Sequence, residues 1–222
     1  CMAKLYLQRH LKTYFNAEKR FCGWSDIAII PGQDSEVEKV IRDISGLKID
    51  KFFSSPLYRN LQTTEIILQK MGLYPFFKHM DSGKMQDWGY LSGKGDKCVE
   101  VFVSEKLNER FYGDLQGLEH QAMREKFSDE QVLQWRRSYD VRPPHGESLK
   151  DTFKRTIPFY KKYIEPELKA GKNVLIVSSG NALRSIVKHI ENIPDDKIID
   201  FEIPFGGLVK YEFDENMNLI KR

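Results

Sequence analysis

The sequence is short of cysteine, of long apolar runs and of any excess of one charge, and each shortage excludes a class of protein. Its three cysteines lack CxxC spacing, which argues against a disulfide framework and a zinc site. No apolar run approaches the roughly 20 residues of a membrane span, and the start lacks the apolar core of a secretion signal. The 35 basic and 32 acidic residues are mixed, which argues against a nucleic-acid binder.

These absences predict a cytoplasmic protein in a reducing compartment, with neither a membrane nor a nucleic acid as partner. A small acidic ligand remains compatible with the composition. Cys1, ahead of Met2, is excluded from functional reasoning as a cloning remnant.

The chain does contain enough apolar sequence for a sizeable core, since 41% of its 222 residues are hydrophobic. We expect a single domain over residues 1–222. Short apolar runs predict strands at 3–8, 51–54, 172–177 and 208–213. Apolar spacing and capping residues predict helices from Asp34, after Pro56, from the capping box at 128–131, over 148–168 with a bend near Pro158, and after Gly180. Strands separated by such helices predict an α/β fold, a three-layer sandwich with a mostly parallel central sheet.

The segment 74–106 is less regular than the rest. Four glycines precede an apolar run at 99–103, which alternates or runs as a strand. We interpret the segment as an insertion into the domain, a hairpin or a lid over the site.

The first predicted strand ends in Arg9 and His10, at the edge of the sheet where open α/β folds bind ligands. A histidine there can stay neutral near pH 7, attack as a nucleophile and hold a proton for return. Four further segments offer phosphate-binding groups at a predicted strand end or helix start: Arg59, Glu109-Arg110, Arg136-Arg137 and Gly180-Asn181. Their convergence favours an anion site.

Several blocks of the sequence resemble one family. They are Arg9-His10 with Asn16 and Gly23-Trp24, Ser55-Pro-Leu-Tyr-Arg59, Leu107-Asn-Glu-Arg-Phe-Tyr-Gly113, Leu115-Gln-Gly-Leu118, Trp135-Arg-Arg-Ser-Tyr-Asp140, Gly146-Glu-Ser-Leu149 and Gly180-Asn-Ala-Leu-Arg184. Together they resemble the cofactor-dependent phosphoglycerate mutases of the histidine phosphatase superfamily, over nearly the whole chain. The Arg-His pair marks only the superfamily, whereas the two blocks at 107–110 and 135–140 are specific to the mutase branch.

The resemblance implies an enzyme that interconverts 2- and 3-phosphoglycerate. His10 would accept a phosphoryl group from the cofactor 2,3-bisphosphoglycerate, Glu109 would shuttle the proton, and Arg9 with Arg59 would hold the transferring phosphate. The positions implied to bind substrate are Asn16, Cys22, Gly23, Tyr112, His120, Arg136, Arg137, Gly180 and Asn181. No metal is expected, since arginines supply the positive charge. The resemblance also implies a homodimer or homotetramer.

The most serious departure from the family is Ser179, which stands where the resemblance places a second catalytic histidine. An imidazole there would donate to the transferring phosphoryl group, and losing one such donor elsewhere costs about 10² to 10³ in rate. Leu11 and Lys12 replace a glycine and an acid, Cys22 replaces a threonine, and His120 replaces a lysine. The chain ends soon after its last predicted strand, so we also expect the family's C-terminal tail over the site to be missing.

Three functions are compatible with this pattern. The first is a phosphoglycerate mutase slowed by the loss of the second histidine. The second is a phosphatase of the same superfamily, which is favoured if water reaches the phosphoenzyme. The third is a non-catalytic binder of phosphorylated metabolites, but such a binder has no use for Glu109 as a proton shuttle.

Overall fold

A seven-stranded sheet forms the middle layer of the computed structural model, which describes residues 2–222 and so leaves Cys1 outside. The strands are β1 (Ala3–Arg9), β2 (Lys51–Ser54), β3 (Tyr74–His79), β4 (Cys98–Val103), β5 (Val174–Ser178), β6 (Leu208–Phe213) and β7 (Leu219–Lys221). Their order is β3-β4-β2-β5-β1-β6-β7. All pairings from β3 to β1 are parallel, and only those of β6 are antiparallel. The predicted mostly parallel sheet is therefore confirmed.

Helices cover both faces of this sheet. They are α1 (Tyr14–Ala17), α2 (Asp34–Ile44), α3 (Tyr58–Lys70), α4 (His120–Phe127), α5 (Asp129–Arg137), α6 (Leu149–Phe159), α7 (Glu165–Lys169) and α8 (Gly180–Glu191). Leu5 and Leu7 of β1 belong to the core beneath α6, α7 and α8. Tyr6, between them, belongs to the opposite core, together with Leu68 of α3. This alternation produces the three predicted layers.

Two helix starts follow the capping pattern of the sequence. The Ser128 side chain accepts a hydrogen bond from the backbone N–H of Gln131 at the start of α5. Ser148 and Asp151 form a complete capping box at the start of α6. Each cap satisfies backbone donors that the first helical turn leaves free, so the sequence predicts these starts correctly.

The helix predicted over 148–168 is interrupted where the bend is expected. Pro158 lies inside α6, and residues 160–164 form one π-helical turn before α7 begins. Proline lacks the N–H that would continue the hydrogen-bond ladder, and π turns are a recurrent cause of helix irregularity.

The segment 74–106 is not a hairpin, because its two strands run parallel. β3 pairs with β4, and β4 pairs with β2, so both strands extend the central sheet at one edge. A 3₁₀ turn at Lys84–Gly89 lies between them. The interpretation of β6 as the last strand is also incomplete, since β7 follows and pairs with it.

Among the described residues, no helix has both the length and the apolar character required to cross a membrane.

Candidate active site

A cavity of about 770 Å³ opens where β1 ends and α8 begins. Its basic lining residues are Arg9, Lys19, Arg20, Arg124, Arg136, Arg137 and Arg184. Its acidic lining residues are Glu18, Glu109, Glu119 and Glu202. This excess of positive charge, at the carboxyl end of the central strands, suits a small anionic ligand.

His10 directly follows β1 and is only 2% exposed. Its Nδ1 lies 2.6 Å from the backbone oxygen of Leu11. A carbonyl oxygen can only accept, so Nδ1 carries the hydrogen of the neutral ring and Nε2 keeps the lone pair. Burial, aided by the charges of Arg59 and Arg9, holds the pKa of His10 well below its usual value. His10 is therefore a neutral imidazole with a nucleophilic Nε2.

Arg9 lies in the cavity wall against the start of α8. A Cβ at Gly180 would come within 3.3 Å of the Arg9 guanidinium carbon, so the glycine allows this close approach. The same carbon lies 3.9 Å from the centre of the Phe205 ring, a cation–π distance. Arg9 donates to the backbone oxygen of Ile203, but its buried Nε has no hydrogen-bond partner.

Arg59, in the first turn of α3, is fully buried. Its guanidinium donates to the backbone oxygens of Ser25 at 2.9 Å and Gly23 at 2.6 Å. These bonds fix the turn at Gly23, which has a φ of +52° that glycine adopts without strain. The Nε of Arg59 has no partner and is left as a free donor.

Glu109 extends its carboxylate to the start of α8. Oε1 accepts from the backbone N–H of Asn181 at 3.2 Å and from that of Arg110 at 2.7 Å. Its backbone oxygen accepts from Trp24 Nε1 at 2.5 Å and from the Arg155 guanidinium at 2.7 Å. The carboxylate therefore occupies the position at a helix start that favours anions.

The residues predicted to bind substrate line the same cavity. They are Asn16, Cys22, Gly23, Tyr112, His120, Arg136, Arg137, Gly180 and Asn181. Burial raises the pKa of the Cys22 thiol, which is therefore protonated near neutral pH. Burial, with the charges of Arg136, Arg124 and Lys19, lowers the pKa of His120 to about 4, so that His120 is neutral.

Three predicted catalytic residues lie one layer behind the cavity lining rather than on it. They are His10, Arg59 and Ser179, and all three are buried. His10 follows the lining residue Arg9, Ser179 precedes the lining residue Gly180, and Arg59 donates to the lining residue Gly23. Ser179 is the N-cap of α8 but makes no side-chain capping bond. Its Oγ accepts instead from Nδ2 of Asn60 at 3.3 Å, and the Oδ1 of this buried asparagine has no partner.

Sequence reasoning missed several lining residues, of which Arg184, Glu202 and Phe205 are the most important. Arg184 could have been found from its position, one helical turn after Asn181, whose Oδ1 it contacts at 3.0 Å. Glu202 and Phe205 follow no motif. The lid interpretation of 74–106 is wrong, because none of those residues lines the cavity. Within residues 2–222, no three His, Cys, Asp or Glu side chains are grouped as metal ligands would be.

Sequence comparison relates the chain to one family. The family described as histidine phosphatase superfamily (branch 1) matches residues 5–87 and 88–222. A Methanococcus vannielii protein named 2,3-bisphosphoglycerate-dependent phosphoglycerate mutase is 38% identical over 216 residues, which cover 96% of this chain and 92% of that protein. A Protochlamydia amoebophila protein of the same name is 36% identical over 219 residues, with 97% of each chain covered.

Comparison with solved structures identifies the same fold. A mycobacterial glucosyl-3-phosphoglycerate phosphatase in complex with VO3 has a TM-score of 0.73 and 20% identity, covering 94% of this chain and 92% of that one. YhfR of Bacillus stearothermophilus has a TM-score of 0.75 and 20% identity, covering 98% and 94%. At these identities the similarity concerns the fold alone.

Proposed function

The chain belongs to branch 1 of the histidine phosphatase superfamily, in the family of 2,3-bisphosphoglycerate-dependent phosphoglycerate mutases, and we propose that it interconverts 2- and 3-phosphoglycerate through a phosphohistidine. The observation that carries the proposal is the state of His10. Its ring is neutral, its Nδ1 is held by the Leu11 oxygen, and the positive charges of Arg59 and Arg9 help to lower its pKa. A nucleophile fixed beside positive charge is the main requirement of phosphoryl transfer.

In the proposed reaction, Nε2 of His10 forms a bond to phosphorus as the bond from phosphorus to the ester oxygen breaks. The Glu109 carboxylate first takes up a proton from solvent and then passes it to the departing oxygen. In the return step Glu109 removes the proton from the accepting hydroxyl, which then takes the phosphoryl group from Nε2. One carboxyl thus serves as acid and base in turn.

Ligand binding can release the Glu109 carboxylate from its hydrogen bond at the start of α8. Its Oε1 is bonded to the backbone N–H of Asn181 at the start of α8. A phosphate oxygen competes for such a donor, because helix starts bind anions. Phosphate binding at α8 would therefore free the carboxylate for proton transfer.

The residues present fit 2,3-bisphosphoglycerate, which when bound supplies the phosphoryl group that primes His10. The buried Nε atoms of Arg9 and Arg59 are donors without partners, and phosphate oxygens would satisfy both. We assign the transferring phosphate to these two residues. The remaining anionic groups are assigned to Arg136 and Arg137, which line the same cavity together with Tyr112 and Asn16.

Ser179 is assigned to the phosphoryl pocket, where the family resemblance places an imidazole. Its hydroxyl accepts from Asn60 and can still donate its own hydrogen. A hydroxyl supplies a hydrogen bond but no positive charge. We expect a slower transfer, by up to about 10² to 10³, rather than no transfer.

The proposal is tested by incubating the protein with 2,3-bisphosphoglycerate that carries labelled phosphate. We expect acid-labile label on the protein, none on a His10→Ala variant, and 3- to 2-phosphoglycerate conversion that is stimulated by added 2,3-bisphosphoglycerate. Label on His10→Ala would refute the assignment of the nucleophile.

Phosphatase activity is the second candidate, since a protein of the same fold is named as a phosphatase. It would be established by release of inorganic phosphate from phosphoglycerate faster than isomerisation. Tight binding of phosphoglycerate without either reaction, and without gain on Ser179→His, would instead identify a non-catalytic binder.

A further inference from the structure

Glu202 places a negative charge between two arginines of the cavity. One carboxylate oxygen lies 3.0 Å from the guanidinium of Arg137, and the other lies 3.6 Å from that of Arg9. Glu202 lies between the 3₁₀ turn at Ile198–Asp200 and β6, in a part of the sequence without any motif. Glu202 is therefore not one of the residues from which the function was proposed.

The carboxylate of Glu202 is ionised near neutral pH. Burial raises the pKa of this carboxyl, but the hydrogen bond from Arg137 and the charges of Arg137, Arg9 and Arg184 outweigh it, so that the pKa falls below its usual value. Two of the cationic groups available for a ligand are thus already paired with an internal anion. A ligand anion must displace this carboxylate or bind beside it.

The side chain of Glu202 is 53% exposed, so it can turn towards solvent while a ligand anion takes its place beside Arg9. Displacement costs two ion pairs, of which the pair with Arg137 is exposed on both sides and individually weak. A carboxylate that stays in place repels each negative charge of the ligand. Both routes penalise a ligand more as its negative charge increases.

We propose that Glu202 is a specificity-determining residue, an internal competitor for Arg9 and Arg137 that sets how strongly the cavity discriminates against highly charged phosphate esters. The inference rests on the proposed function only in taking phosphorylated carboxylic acids as ligands. Its consequence is that singly phosphorylated ligands are favoured over doubly phosphorylated ones, relative to a cavity without the carboxylate.

The test is equilibrium binding measured by calorimetry in a His10→Asn background, where no phosphoryl group can be transferred to residue 10. Orthophosphate, 3-phosphoglycerate and 2,3-bisphosphoglycerate form a series of increasing charge. Glu202→Gln removes the charge and keeps the shape. We expect it to tighten orthophosphate binding about threefold and 2,3-bisphosphoglycerate binding about tenfold or more, at fixed low salt.

Glu212→Gln is the matched control, because it makes the same change in net charge at a residue of β6 that pairs with Lys4 outside the cavity. It should leave all three affinities unchanged. The inference is overturned if Glu202→Gln weakens binding, changes nothing, or tightens all three ligands equally. Since these measurements need no turnover, their failure is distinct from a failure to detect phosphohistidine.

Discussion

Two pairs of arginines near the site differ in the main acceptors of their guanidinium groups. Arg59 and Arg110, which we call the floor arginines, are fully buried, and within residues 2–222 they donate to backbone oxygens and to one tyrosine hydroxyl. Arg20 and Arg137, which we call the rim arginines, are about one-third exposed and donate to carboxylates of nearby glutamates, and Arg20 also donates to the backbone oxygen of Gly117. Neutral dipoles thus hold the floor arginines, whereas carboxylates are the main acceptors of the rim arginines.

Carbonyl and carboxylate acceptors have different effects on the charge of a guanidinium group. A carbonyl oxygen fixes the direction of a guanidinium without neutralising it, so the floor keeps its full positive charge in a defined position. A carboxylate neutralises its partner and can be exchanged for a ligand anion, because exposed ion pairs contribute little free energy. The floor is therefore suited to stabilising charge during transfer, and the rim to selecting what binds.

The largest expected effect comes from exchanging the two kinds of arginine for lysine. Arg59→Lys keeps the charge but loses the rigid fork that reaches both Gly23 and Ser25, so we expect kcat to fall by about 10² to 10³. Arg137→Lys should raise KM by at most about tenfold, because this side chain is about one-third exposed and paired with an exposed carboxylate. Steady-state kinetics on 3-phosphoglycerate measures both.

Thermal unfolding of the two lysine variants provides the control for misfolding. The distinction between floor and rim is wrong if the two variants, both folded, lose kcat to the same extent.

A second experiment adds a donor to the floor. Ser179→His combined with Asn60→Ala removes the amide that contacts the Ser179 hydroxyl and replaces that hydroxyl by an imidazole. We expect kcat to rise about tenfold or more, since one added donor to a transferring group can contribute that much. Asn60→Ala alone should give no gain. A double variant that binds 3-phosphoglycerate normally and is no faster would show that residue 179 does not contact the phosphoryl group.

The smallest effect concerns the free energy of unfolding of the chain as a function of pH. The pKa of His120 is lowered to about 4 in the folded chain, by burial and then by Arg136, Arg124 and Lys19. Between about 4 and the ordinary histidine value near 6.5 the unfolded chain binds a proton that the folded chain does not, so stability falls as the pH drops through this window. His120→Asn should reduce this slope in urea unfolding between pH 7 and 5.

Some slope should remain in the His120→Asn protein, because the pKa of His10 is shifted in the same direction. An unaltered slope in His120→Asn would mean that His120 is accessible to protons in the folded protein.

The sequence predicts most of the fold because its signals are local. Strand β2 and the start of α2 at Asp34 match their predicted bounds, and Pro158 marks the interruption of the long helix. The pairing of strands is not a local property. Nothing in 74–106 distinguishes two strands of a parallel edge from a hairpin, because both have the same apolar alternation.

The site was predictable where a motif carried it and not elsewhere. Arg9, Glu109 and Asn181 lie in separate motifs and meet at one cavity. Glu202 was missed because an isolated glutamate in a loop has no distinguishing pattern, and only the folded chain brings it to Arg9 and Arg137. The contact of Arg155 with the Glu109 backbone oxygen was missed for the same reason.

The position of β1 in the sheet has a consequence for how the chain is made. Both neighbours of this strand, β5 and β6, are encoded more than 160 residues later, as the pairings Leu5–Val174 and Gln8–Leu208 illustrate. During synthesis β1 therefore stays unpaired until residues 174–213 have left the ribosome. Such long-range strand pairing slows folding and leaves apolar surface exposed until it is complete. We therefore expect the nascent chain to depend on protection by chaperones.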